Sequence, residues 1–165
     1  MADTPETIVV RGRFWRVLAP RWAHEPLSGQ GAARFGGRWN PKDVPALYMS
    51  AELTTAVAEY EQDLGIRPGT FVAYDVDVAG IADLRASPIA FDPWKRFLLV
   101  DGRIPPSWDL ARELMDAGRA GALVPSAQQP GGTNLVLWRW NDAPDRSVMA
   151  LDPNRDLPAD QRSWN

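Results

Sequence analysis

The sequence predicts an α+β fold, a single domain with a mostly antiparallel sheet and a few short helices. Three observations point there. The 165 residues suit one domain with a real core. About six short strand-like segments and two or three helical ones follow one another in no regular βαβ order. The 15 prolines cut the chain into short elements.

Residues 1–12 read as an N-terminal lead-in, 13–152 as the domain itself and 153–165 as a polar C-terminal tail. The apolar run at 13–18 predicts a first strand, ended by Pro20. From 19 to 45 periodicity is weak and glycines are frequent, which predicts a long loop. Loops of that length inside a compact domain are usually functional or disordered, and Arg38, Trp39 and Asn40 favour function. A short strand follows at 46–49. Ser50 is then expected to cap a helix over 51–64, ended by Gly65. Leu53, Ala56, Val57, Tyr60 and Leu64 recur at helical spacing as its buried stripe. Glu52, Glu59 and Asp63 share one flank, with Glu59 bordering that stripe. Residues 70–78 alternate, placing Val72, Tyr74, Val76 and Val78 on one face of a strand. A short helix is expected near 93–99 and another, capped by Ser107, over 108–117 before Gly118. Strands are predicted at 122–124, 134–140 and 147–151.

Composition narrows the function classes. Hydrophobic residues make up 45% and charged residues 24%, as in ordinary soluble proteins. A net charge of -3 argues against a general nucleic-acid binder. With no cysteine, disulfides, thiolate nucleophiles and cysteine metal sites are excluded, and a reducing cytoplasm is suited. His24 is the single histidine, too few for a multi-histidine metal site. The acidic start Met1–Glu6 does not resemble a secretory signal. No apolar run approaches the roughly 18 residues of a membrane span. A soluble cytoplasmic protein is expected. Most of the 8 tryptophans are expected to serve packing.

Several residues could carry chemistry, each against a plainer reading. Gly36-Gly37 permits close backbone approach to a ligand, and Arg38 offers a planar fork for phosphate or carboxylate. The alternative is a tight turn with a surface arginine. No Gly-Lys-Ser/Thr follows, so it is not a triphosphatase loop, and no parallel strand-helix context makes it a dinucleotide fingerprint. Glu59 is either a solvated flank residue or a carboxylate that binds ribose hydroxyls and stabilises an oxocarbenium-like transition state. Tyr48 could stack on an aromatic ligand or sit in the core. Ser126 lacks a histidine base, which leaves it a hydrogen-bonding role to ligand or backbone. Asp75/Asp77 and Glu59/Asp63 are poor two-carboxylate hydrolase pairs, the first expected to face solvent. His24-Glu25 and Asp101-Gly102-Arg103 are weak candidates.

In order along the chain, Gly31–Asn40 (GAARFGGRWN), Leu47–Ser50 (LYMS), Ala58-Glu59 and Val124-Pro125-Ser126 resemble the RES-domain family, named for a recurring arginine, glutamate and serine. The likeness runs from about Phe14 to Asp152. Asn134 and the Asp152-Pro153-Asn154-Arg155 segment also fit. The chain departs from the family after Asn134, where a proline is common and Trp138 and Trp140 stand here.

The resemblance implies the toxin of a bacterial toxin–antitoxin pair, with a fold like that of ADP-ribosyltransferases. The implied activity is cleavage of the nicotinamide–ribose bond of NAD+, by hydrolysis or phosphorolysis. NAD+ is then a substrate, inorganic phosphate a possible co-substrate, and no cofactor or metal is needed. Some members instead transfer ADP-ribose to a protein, and a non-catalytic nucleotide- or antitoxin-binding module is a further alternative. The implied partner is an Xre-type helix-turn-helix antitoxin, which binds DNA for the pair in a larger complex. By position, Arg38 binds phosphates with Arg34 as a second ligand. Tyr48 packs against the nicotinamide end, Glu59 holds the ribose and steadies the cation, and Ser126 completes the pocket with help from Asn134.

Overall fold

The computed structural model describes residues 5–62 and 65–164. Among them, six strands form one mixed sheet: β1 (Thr7–Leu18), β2 (Leu47–Ser50), β3 (Thr70–Asp83), β4 (Gly121–Pro125), β5 (Thr133–Leu137) and β6 (Arg146–Leu151). In the order β1-β2-β5-β4-β3 the sheet returns to β1 through a direct β1–β3 ladder, so five strands close into a barrel. β6 lies along the middle of β3, from Ala73 to Val78. Every pairing is antiparallel except β3 with β4.

Side-chain alternation explains the closure. Val72, Tyr74, Val76 and Val78 of β3 turn inward against Val10, Phe14 and Leu18 of β1. Asp75 and Asp77 turn outward, directly across the ladder from Arg13 and Arg11, and pair with them at 3.4 and 2.9 Å. Such exposed pairs fix register more than they stabilise. β4 and β5 are instead buried on both faces. Leu123, Leu135 and Leu137 fill the barrel, while Ala122, Val124 and Val136 pack outward beneath a helix, which is why 122–124 and 135–137 read as continuous apolar stretches.

Among the described residues four helices decorate this frame: α1 (Gln30–Phe35), α2 (Leu53–Glu61), α3 (Trp94–Leu99) and α4 (Pro106–Asp116). Short 3-10 turns lie at Pro20–Trp22, Pro88–Phe91 and Gln161–Trp164. No helix of the described residues is long and apolar enough to cross a membrane.

The structure corrects several expectations. β1 reaches back to Thr7, into the segment read as a lead-in, because Ile8 and Val10 continue its inward face. Residues 19–45 contain α1 and a 3-10 turn, so the segment is not wholly loop. Ser50 does not cap α2. It remains in β2, and Glu52 precedes the helix without a capping bond. The buried face of α2 carries Thr55 and Ala56, whereas Leu53 is exposed; Asp63 and Leu64 lie outside the described residues. The helix ends at Glu61 with Gln62 in a positive-φ turn, before Gly65. α4 starts on Pro106, whose fixed φ suits a first turn, and the buried Ser107 hydroxyl makes no capping bond. β5 stops at Leu137.

One glycine is demanded by the barrel. A Cβ on Gly121 would lie against the backbone carbonyl of Val136, the residue beside its ladder partner Leu137. Gly121→Ala is therefore expected to lower stability by at least about 2 kcal/mol in a urea titration, since backbone in a closed ladder has nowhere to move.

Candidate functional site

The site grows from the outward face of three neighbouring strands. On β2, Leu47 and Met49 point into the barrel, so Tyr48 and Ser50 share the opposite face. Register places Ser50 across from Asn134 of β5, and Asn134 across from Val124 of β4, with Ser126 just beyond the strand end. α2 lays Glu59 beside these residues.

A single hydrogen-bond chain joins them. Ser50 Oγ donates to Asn134 Oδ1 at 2.7 Å, which orients the amide so that Asn134 Nδ2 donates to Glu59 Oε1 at 2.8 Å. Ser126 Oγ donates to the same carboxylate oxygen at 2.6 Å and receives the backbone N–H of Gln129. Ser50 and Ser126 are each 3% exposed, so these bonds hold Glu59 in one pose out of competition with water. Among the described residues, no side chain bonds the other oxygen, Oε2. The carboxylate thus has one anchored oxygen and one left for a ligand.

The second half hangs from Tyr48, two residues from Ser50. Its hydroxyl accepts the Trp39 N–H at 3.0 Å and donates to Asn40 Oδ1 at 2.6 Å. Asn40 Nδ2 in turn donates to the carbonyls of Ala32 and Val44. Trp108 Nε1 donates to the Gly37 carbonyl and Trp138 Nε1 to that of Trp39. The loop carrying Arg38 is thereby clamped on both sides. A Cβ on Gly37 would lie 2.5 Å from Asn40 Oδ1 and 2.7 Å from the Tyr48 hydroxyl. This glycine is required by the clamp inside the protein, a reason different from close approach to a ligand.

Arg38 Nη1 donates to the Asp92 carbonyl at 2.6 Å, and the half-buried guanidinium is drawn below its ordinary pKa by burial, against the nearby Glu59, Tyr48 and Asp92. It remains charged, since an arginine starts so far above neutrality. Burial pushes the Tyr48 phenol well above its usual range, opposed by the Trp39 N–H and Arg38.

Arg38, Tyr48, Glu59, Ser126 and Asn134 therefore gather in one place, a fixed carboxylate facing a fixed guanidinium. Arg34 does not join them. It is exposed on the last turn of α1, over the Phe35 ring. Tyr48 spends its hydroxyl on the loop. Trp138 and Trp140, which interrupt the sequence pattern after Asn134, act as clamps, Trp140 Nε1 donating to the Leu27 carbonyl at 3.1 Å. Ser50 is disguised in the sequence as a helix cap, and only the β2–β5 register reveals its role.

Residues 13–160 match the RES domain family. The chain belongs to that family. Toxin Res of Yersinia enterocolitica serotype O:8 / biotype 1B (strain NCTC 13174 / 8081) is 26% identical over 128 residues, covering 75% of this RES chain and 82% of that protein. Among solved structures, the M. tuberculosis MbcT–MbcA toxin–antitoxin complex contains a chain that superposes with a TM-score of 0.58. It is 24% identical over 89% of this chain and 87% of its own, a likeness of fold.

Two measurements test the clamp. Tyr48→Phe leaves the Trp39 N–H and Asn40 Oδ1 without their partner, and is expected to cost about 2 kcal/mol in urea unfolding. Tyr48 and the buried Tyr74 both have raised pKa values, burial being the main cause in each. The unfolded chain therefore loses these protons first, and folding stability falls as pH rises above about 10, with a shallower fall in Tyr48→Phe.

Proposed function

We propose that this chain is the toxin of a bacterial toxin–antitoxin pair and that it cleaves the nicotinamide–ribose bond of NAD+. The observation that carries this reading is Glu59, anchored through Oε1 by Ser126 and Asn134 and opposed by Arg38.

Cleavage breaks the C1′–N bond, and its electron pair neutralises the pyridinium nitrogen of the departing nicotinamide. Positive charge then builds on C1′ and the ring oxygen. The free Oε2 of Glu59 accepts a ribose hydroxyl and stabilises that charge electrostatically, in an orientation already fixed before substrate arrives. Arg38 takes the pyrophosphate as a bidentate charge-assisted donor. Tyr48 supports the nicotinamide end through its ring and through the loop it holds. Water or inorganic phosphate then attacks C1′ and gives up a proton, leaving ADP-ribose or its 1-phosphate. In this reading the fold is related to ADP-ribosyltransferases and the protein acts in the cytoplasm.

The partner in this reading is an Xre-type helix-turn-helix antitoxin that supplies DNA binding, which an acidic toxin with net charge -3 does not need itself. Leu99, Val100 and Ile104, at or just beyond α3, are between 56% and 78% exposed and give such a protein an apolar surface to cover in the larger complex.

Product analysis decides the chemistry. Purified protein incubated with NAD+, with and without phosphate, is expected to release nicotinamide with free ADP-ribose or its phosphorylated form. Label appearing only on a protein points to ADP-ribosyl transfer, and no turnover points to a binding module. Glu59→Gln and Arg38→Ala are each expected to reduce nicotinamide release by at least about a hundredfold and to abolish toxicity. Ser50→Ala, which only lets Asn134 and Glu59 turn, is expected to lower kcat about tenfold with KM little changed.

A further inference from the structure

Beside Ser126 the surface opens into a cleft of about 440 Å³. Its walls include Arg85, Phe91, Pro125, Ser126, Pro130 and Gly131. Two links tie it to the Glu59 site. Ser126 is shared, its hydroxyl bonded to Glu59. Phe91 directly precedes Asp92, whose carbonyl receives Arg38. A ligand with its ribose at Glu59 and its phosphates at Arg38 therefore has the cleft within reach of its remaining half.

The chemistry of the cleft describes that half. Phe91 is 63% exposed and lines the cleft, so its aromatic side chain is accessible there. Two prolines give rigid apolar sides, and Gly131-Gly132 leaves one wall free of side chains. Arg85 is paired through two nitrogens with Asp83, at 2.9 and 2.7 Å, which orients its guanidinium plane as a second flat surface. Among the described residues no carboxylate lines the cleft. Arg85 in its wall repels a cationic pyridinium, whereas a neutral purine can stack on the ring and on the guanidinium plane.

We infer that this cleft is the adenosine subsite, with Phe91 as the stacking platform that selects a dinucleotide over a mononucleotide. The inference rests on NAD+ as the substrate, and the experiment separates the two claims.

Nicotinamide mononucleotide has the same scissile bond as NAD+ and no adenosine. Phe91→Ala is expected to raise KM for NAD+ about tenfold, in the range that losing one base–aromatic stack produces. Its cleavage of the mononucleotide should change less than twofold. Ala127→Trp, which puts bulk into the cleft at an exposed position, should do the same without risk to the core. Unchanged NAD+ kinetics in both variants, or equal losses on the two substrates, would overturn the subsite. If the unmodified protein cleaves neither substrate, the NAD+ reading fails. AMP titrated calorimetrically then judges the cleft alone. Binding that Phe91→Ala weakens about tenfold upholds it, and absent or unaltered binding rejects it.

Discussion

Side-chain donors holding backbone carbonyls are the interaction on which this structure depends. Between β1 and β2 the chain runs irregularly, with few ladder partners to satisfy its polar groups. Indole nitrogens of Trp108, Trp138 and Trp140 bond the carbonyls of Gly37, Trp39 and Leu27, and the Tyr74 hydroxyl bonds that of Pro26. Asn40, fully buried, bridges carbonyls on either side of its own turn. Buried carbonyls left unpaired would cost more than the loop could offset, so each donor is needed where it stands. Arg38 is rigid because its neighbours on both sides are tied.

The barrel supplies the other half of the site's order. Residues two apart on β2 point the same way, and that period sets the guanidinium loop and the carboxylate network side by side. Ser50 and Tyr48 differ only in what they hold. Asn134 is the pivot between strand pairing and chemistry, since its amide has one end on a strand neighbour and the other on Glu59. Apolar packing beneath it, from Val124 and Val136, prevents the amide from finding water instead.

Much of this is legible in the sequence, and what is not has a common cause. The alternation of β3, the short apolar runs of β2, β4 and β5, and the glycine- and arginine-bearing loop are local signals. They predict an α+β domain with a mostly antiparallel sheet, as found. The closed ring is invisible there, because the β1–β3 ladder joins residues far apart in sequence, from Leu18 with Thr70 to Thr7 with Ala82. Ser50 misleads for the same reason: a serine before a helix has a local explanation, while its real partner lies 84 positions away. Arg34 sits close to Arg38 in sequence, yet the helix that carries it turns it outward. Local chemistry and non-local geometry coincide at Arg38 and Glu59, which the residues offer as a phosphate fork and a ribose-holding carboxylate beside plainer readings, whereas Ser126 gains its place in the trio from the family resemblance.

The order of synthesis follows from the same separations. Arg38 and Glu59 leave the ribosome early, but the oxygen of Glu59 acquires its two donors only when residues 126 and 134 have been made and β4 and β5 have closed the ring. A nascent or truncated chain ending before Asn134 holds an arginine and a glutamate with no fixed relation to each other. Assembly of the centre thus waits on the later strands, and until they pair Glu59 has neither of the donors that fix its pose.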